Sequence, residues 1–221
     1  MVESVLTRNR LRWSALALGL SAFLFAIFPL VRPYFPMDPT QPAATLAGAA
    51  SAVTSAAWML AHALATIAFV LLLCGLPALY ASLSEGAGEP AALRALVLSG
   101  TGVAFVLPTL GVELYALPAI GRIYLRGVDE IAPVINFIYI GAATAVMLVG
   151  LLLLAIGAIT FAVVIWRTAV LPKWAGIAFG VGLALWLPLL PPPVRIVDGL
   201  LIGAGGLWLA WEIWRGTKLG L

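Results

Sequence analysis

One histidine, His62, and one glutamate, Glu113, stand alone inside long apolar stretches of the sequence. Imidazole and carboxylate together can hold or pass a proton near neutral pH. An ionisable group within a bilayer is costly, which marks each of them as a functional candidate. Helical spacing adds neighbours: Trp58, His62 and Thr66 are four apart and share one face, as do Thr109 and Glu113. Arg122, Tyr124, Arg195 and Asp198 are positioned to close over this cluster from outside. The expected site is a polar pocket open to the outer face, walled by the second, third and sixth spans. Three readings stay open: a His–Glu hydrogen bond that only joins two helices, a ligand or proton-transfer site, and a single axial histidine for a haem or chlorin.

Other chemistries lack their residues. There is no P-loop, HExxH helix, GxSxG elbow or pair of catalytic carboxylates, so nothing argues for an enzyme. Asp129 and Glu130 are adjacent but read as solvated loop charges. The single cysteine, Cys74, allows neither an intrachain disulfide nor a cysteine-based metal site, and its apolar run predicts a small buried residue. No metal is expected, and no cofactor beyond the haem or chlorin alternative.

The elements that must position these residues follow from composition. Only 10% of the 221 residues are charged and 63% are apolar, with a mean hydropathy of +1.12. Soluble domains run at about a quarter charged and about half apolar. Lipid must therefore be the main solvent. Twelve basic against nine acidic residues is too slight a balance for nucleic acid. The chain reads as a single all-α transmembrane domain, residues 1–221, a six-span polytopic bundle. The spans are expected at about 13–31, 51–83, 95–117, 136–166, 174–190 and 196–214, the first an anchor rather than a cleaved signal.

Six spans put both termini on one side. Arg8, Arg10, Arg12, Arg94, Arg167, Lys173, Arg215 and Lys218 fall on that side, and Arg32, Arg122, Arg126 and Arg195 on the other. The excess of basic residues places the termini in the cytoplasm and the chain in the cell inner membrane. Trp13, Trp166, Trp174, Trp211 and Trp214 fall at the same ends of their spans, as an aromatic belt does. Pro33, Pro36, Pro39 and Pro42 recur every three residues, which predicts a stiff polyproline II strap over the outer face. Gly176 with Gly180, and Gly199 with Gly203, predict a tight antiparallel pairing of the fifth and sixth spans.

A further similarity leaves two readings open, an internal duplication or a chance likeness of Ala/Leu/Gly-rich segments. GTGVAFVLPTL, Gly100 to Leu110, matches GVGLALWLPLL, Gly180 to Leu190, at six of eleven positions, including Pro108 and Pro188. Upstream, LLLCG ending at Gly75 sets against LLAIG ending at Gly157. Such copies would run in the same direction, and proline-broken segments at matching positions mark binding sites in some transporters.

The Trp58-x3-His62 helix, the segment GLPALY at Gly75–Tyr80 and the Leu-Pro-x-Trp approach at Leu171–Trp174 resemble those of small uncharacterised bacterial multi-spanning membrane proteins. That resemblance implies a membrane location and no activity. Three functions stay in play: a non-catalytic membrane subunit or scaffold, a carrier or sensor using His62 and Glu113, and a haem-, quinone- or lipid-binding protein. The partners expected are the bilayer, other membrane subunits or a second copy of the chain, and no nucleic acid.

Overall fold

The computed structural model describes residues 2–35, 38, 40–84, 88–187 and 190–219. Helix dominates, with α1 Val2–Val31, α2 Pro42–Val53, α3 Ala56–Leu83, α4 Glu89–Gly111, a π-helical turn Val112–Ala116, α5 Leu117–Tyr124, α6 Val134–Tyr139, α7 Ala142–Thr168, α8 Lys173–Ala184 and α9 Pro192–Leu219. No strand occurs among the described residues. Among the described residues five stretches are long and apolar enough to cross a membrane: Arg8–Val31, Ala56–Leu83, Glu89–Tyr124, Ala142–Thr168 and Pro192–Thr217.

Packing pairs show the arrangement. Leu18 meets Gly75, Gly102 meets Leu154, Gly180 meets Ala158, Gly205 meets Phe179, and Gly199 meets Phe25. Together with the Tyr80–Glu89 hydrogen bond of 2.9 Å, these define a ring, α1–α3–α4–α7–α8–α9 and back to α1, in which each helix runs against the next. The ring closes where Arg12 Nε donates to Thr217 Oγ1 at 3.2 Å. Arg12 and Thr217 thus lie at one end of the ring, which also carries Trp13, Trp166, Trp174 and Trp211, all exposed. Phe25, Phe69, Leu72, Leu154, Phe161 and Phe179 fill the centre.

A second cluster caps the opposite end, where Leu46, Ala49 and Val53 of α2 pack on Leu117, Ile120, Ile135 and Trp58. The expected spans 51–83 and 136–166 take in the end of α2 and most of α6 and leave the rest of the cap in loops, and local chemistry explains the difference. Within the expected 51–83 span, Thr54 Oγ1 donates to the Ala50 carbonyl at 2.9 Å. Ser55 then caps a new helix by accepting from the Trp58 amide at 3.2 Å. Hydroxyls that bond nearby backbone end one helix and start another. Within the expected 136–166 span, Gly141 adopts an extended conformation and separates α6 from α7.

Several other expectations change. The helix in the expected 174–190 span ends at Ala184, because Leu187 precedes a proline, a position biased away from helix. At 12 residues and about 1.5 Å per residue, α8 is roughly 18 Å long. Of the proline strap, Pro36 and Pro39 lie outside the described residues, and Pro42 opens α2 instead. Cys74 is exposed on the outer surface of α3.

The glycine pairs face other partners than expected. A Cβ at Gly176 would meet Ile165 and one at Gly180 would meet Ala158, both on α7, whereas Gly199 and Gly203 face Phe25 and Ala26 of α1. The α8–α9 contact is made by Gly182 and Gly205. Of the matched segments, α4 continues through Pro108 while α8 stops short. Both run antiparallel to α7 and so parallel to each other, and Pro188 lies outside the described residues.

Candidate functional site

Glu113 owes its place to a break in helical hydrogen bonding. Leu117 N–H bonds to the Val112 carbonyl five residues back, a π-type bond. The next residue, Pro118, has no N–H, which leaves the Glu113 carbonyl without a donor from its own helix. The indole Nε1 of Trp58 supplies one at 2.8 Å. The first turn of α3 is thereby tied to the π turn, and the Glu113 side chain is aimed inward.

One turn along α3, His62 is 3% exposed. Its Nδ1 lies 2.9 Å from the Trp58 carbonyl. A carbonyl only accepts, so Nδ1 carries the proton and Nε2 of the neutral ring is an acceptor. Nε2 stands 3.8 Å from Glu113 Oε2, beyond hydrogen-bond range, and Oε2 is buried without a hydrogen-bond partner among the described residues. With the carboxyl ionised and the ring neutral, two acceptors face one another, and a proton on either would join them. The other carboxylate oxygen, Oε1, accepts from the Tyr139 hydroxyl at 2.5 Å. Burial and the neighbouring carboxylate push the Tyr139 phenol well above its ordinary value, so it stays protonated and donates at every physiological pH.

These groups border a cavity of about 310 Å³ under the α2 cap. Its walls are mainly apolar, with Phe28, Leu110, Met147 and Trp186 below and Leu46 and Ala49 above. Arg32 and Arg195 also line it. The Arg32 guanidinium lies over the Trp58 ring at 4.7 Å, and that of Arg195 over Phe28 at 5.2 Å. Neither has a hydrogen-bond or ion-pair partner among the described residues. Burial lowers the Arg32 pKa, and the Glu113 carboxylate counters the shift. Asp38 stands at the rim, exposed, with Oδ1 accepting from the Thr40 amide and hydroxyl.

The structure brings together His62, Glu113, Thr109 and Arg195 around this cavity, with Trp58 behind them. Thr66 lies a turn below and bonds only the His62 carbonyl, at 2.7 Å. Asp198 is buried one turn from Arg195 but does not line the cavity. Arg122 is exposed and reaches Met59 Sδ at 3.5 Å, away from the site, and Tyr124 is likewise absent from the lining. Arg122 sits on the last turn of α5, beyond the cap, which is why it does not close over the pocket. The walls include α1, α7 and α9 as well as α3 and α4. Sequence reasoning missed Arg32, Tyr139 and Trp186. A signal for Arg32 was available, since an arginine that directly follows an apolar helix can turn inward as readily as outward.

No family model matches the chain, and neither a curated protein nor a solved structure is similar to it. The function therefore rests on the chemistry of the cavity. Among the described residues no cluster of three histidine, cysteine or acidic side chains is placed to hold a metal ion.

Proposed function

We propose that this is a membrane protein that binds a lipophilic small molecule in the capped cavity, acting as a carrier or sensor rather than as a scaffold. One observation carries the reading. Two guanidiniums, one imidazole nitrogen and one carboxylate oxygen line an apolar cavity without partners among the described residues. Packed interiors pair such groups, since an unsatisfied buried polar atom costs about 1–3 kcal/mol. The cavity volume is also in the range of small-molecule sites, about 300–1,000 Å³.

The test is native mass spectrometry of the full chain extracted in mild detergent. Wild-type protein should retain a bound molecule, and Val106→Phe, which fills the cavity floor, should lose it while remaining folded. Wild-type protein that carries nothing and migrates only with other chains would support the scaffold instead. A visible absorption band lost in His62→Ala would support the haem or chlorin alternative.

In this reading α8 completes a sixth crossing as a short segment shielded by α7 and α9, and both termini are cytoplasmic in the cell inner membrane. The basic and tryptophan-rich end supports that orientation, as do the cation–π contacts of Lys173 with Trp166 and of Arg12 with Trp214. With Cys74 replaced by serine, a cysteine at Arg126 should react with a membrane-impermeant maleimide on intact cells. A cysteine at Arg215 should react only after permeabilisation. The reverse pattern would invert the topology.

A further inference from the structure

Stacking a guanidinium on an aromatic face leaves its in-plane N–H fork free. Arg32 and Arg195 both line one cavity, each lying over an aromatic ring. Among the described residues neither arginine has a carboxylate oxygen within 4.0 Å. Two like charges held in an apolar chamber call for an anion between them, because the guanidinium fork matches carboxylate and phosphate oxygens in pairs.

A second cavity adjoins the first. Helices α4 and α7 touch at Gly102 and Gly150, where no Cβ fits. Beyond Phe105 a crevice of about 250 Å³ opens between them, bordered by Pro108, Val112, Ala143 and Val146. It shares Thr109, Tyr139, Thr144 and Met147 with the main cavity. Phe105 and Val146 are exposed on the surface that meets lipid. Rotation of the side chains that the two cavities share would let an acyl chain lie with its polar end inside and its apolar end reaching the bilayer.

We infer that the occupant is an amphipathic anion, its carboxylate or phosphate held by Arg32 and Arg195 and its hydrocarbon chain lying in the crevice between α4 and α7. This rests on the cavity being a ligand site. A hydroxyl beside the acid group would also donate to Glu113 Oε2 or to His62 Nε2, neither of which has a donor among the described residues.

The experiment measures binding to the full chain in an uncharged maltoside detergent. The probes are oleate, dioleoyl phosphatidic acid, oleyl alcohol and inorganic phosphate. One or both lipid acids should bind saturably and at least about tenfold more tightly than the alcohol, since one charged hydrogen bond is worth that much. Which acid binds tells a fatty acid from a phospholipid. Arg32→Gln and Arg195→Gln should each lose about tenfold for the acid and nothing for the alcohol, with Arg→Lys intermediate. If the glutamine variants do not fold, the acid-against-alcohol comparison on wild-type protein decides alone. Equal binding of alcohol and acid would overturn the anionic head while leaving the cavity a ligand site. Inorganic phosphate binding as tightly as the lipid acid would overturn the role of the chain. If no probe binds and Val106→Phe retains the same molecules as wild type, the cavity reading itself fails.

Discussion

Trp58→Phe should lower stability by about 1–3 kcal/mol, the cost of leaving a buried carbonyl without a donor. The reason lies sixty residues downstream. Pro118 cannot donate to the Glu113 carbonyl, and only the Trp58 indole does so. Pro118→Ala should therefore have little effect in wild-type protein, where the carbonyl is already satisfied. In the Trp58→Phe background the same change supplies the missing N–H and should recover part of the loss. A double-mutant cycle on equilibrium unfolding in mixed micelles measures that coupling. Strict additivity would show that the proline and the indole do not serve the same carbonyl.

The second large effect concerns the clamp between α4 and α7. A Cβ at Gly102 would stand 2.5 Å from the Leu154 amide nitrogen, and one at Gly157 2.6 Å from that of Ser99. Backbone atoms cannot swing aside as a side-chain tip can, so the helices themselves must separate. Gly102→Val and Gly157→Val should each cost about 3 kcal/mol, at the upper end for overpacking. Gly100→Val is the control, because its nearest neighbour is the Leu73 side chain at 3.9 Å, and it should change stability little. Equal losses at positions 100 and 102 would remove the case for a contact made by one face of α4.

How far the sequence foretold this molecule depends on what each residue reports. Long uncharged runs disclose helices, because length and hydropathy are local properties. His62 and Glu113 were legible as partners for a related reason: consecutive antiparallel helices place similar depths side by side. The glycine pairs were read correctly as close-packing faces but given the wrong neighbours. A small-residue stripe records that something approaches, not which helix does. Arg195 is legible as a residue closing over the site but Arg32 only as a loop charge, since a charge next to a span end looks the same whether it points to water or into a cavity. Tyr139 was hidden inside a presumed continuous span. Its role depends on Gly141 bending the chain, which a tally of charges cannot reveal.

The seam between α1 and α9 joins positions 205 apart. At the pace of a ribosome, roughly 5–20 residues per second, α1 waits some 10–40 s in the nascent chain for the helix that covers it. During that interval the small-residue face around Ala22 and Ala26 has no mate. The missing helix also brings Arg195, so the unfinished polypeptide has one arginine of the pair and an unsealed wall. Helix α9 completes both the seam with α1 and the wall of the cavity, so a nascent chain that stops short of it has neither.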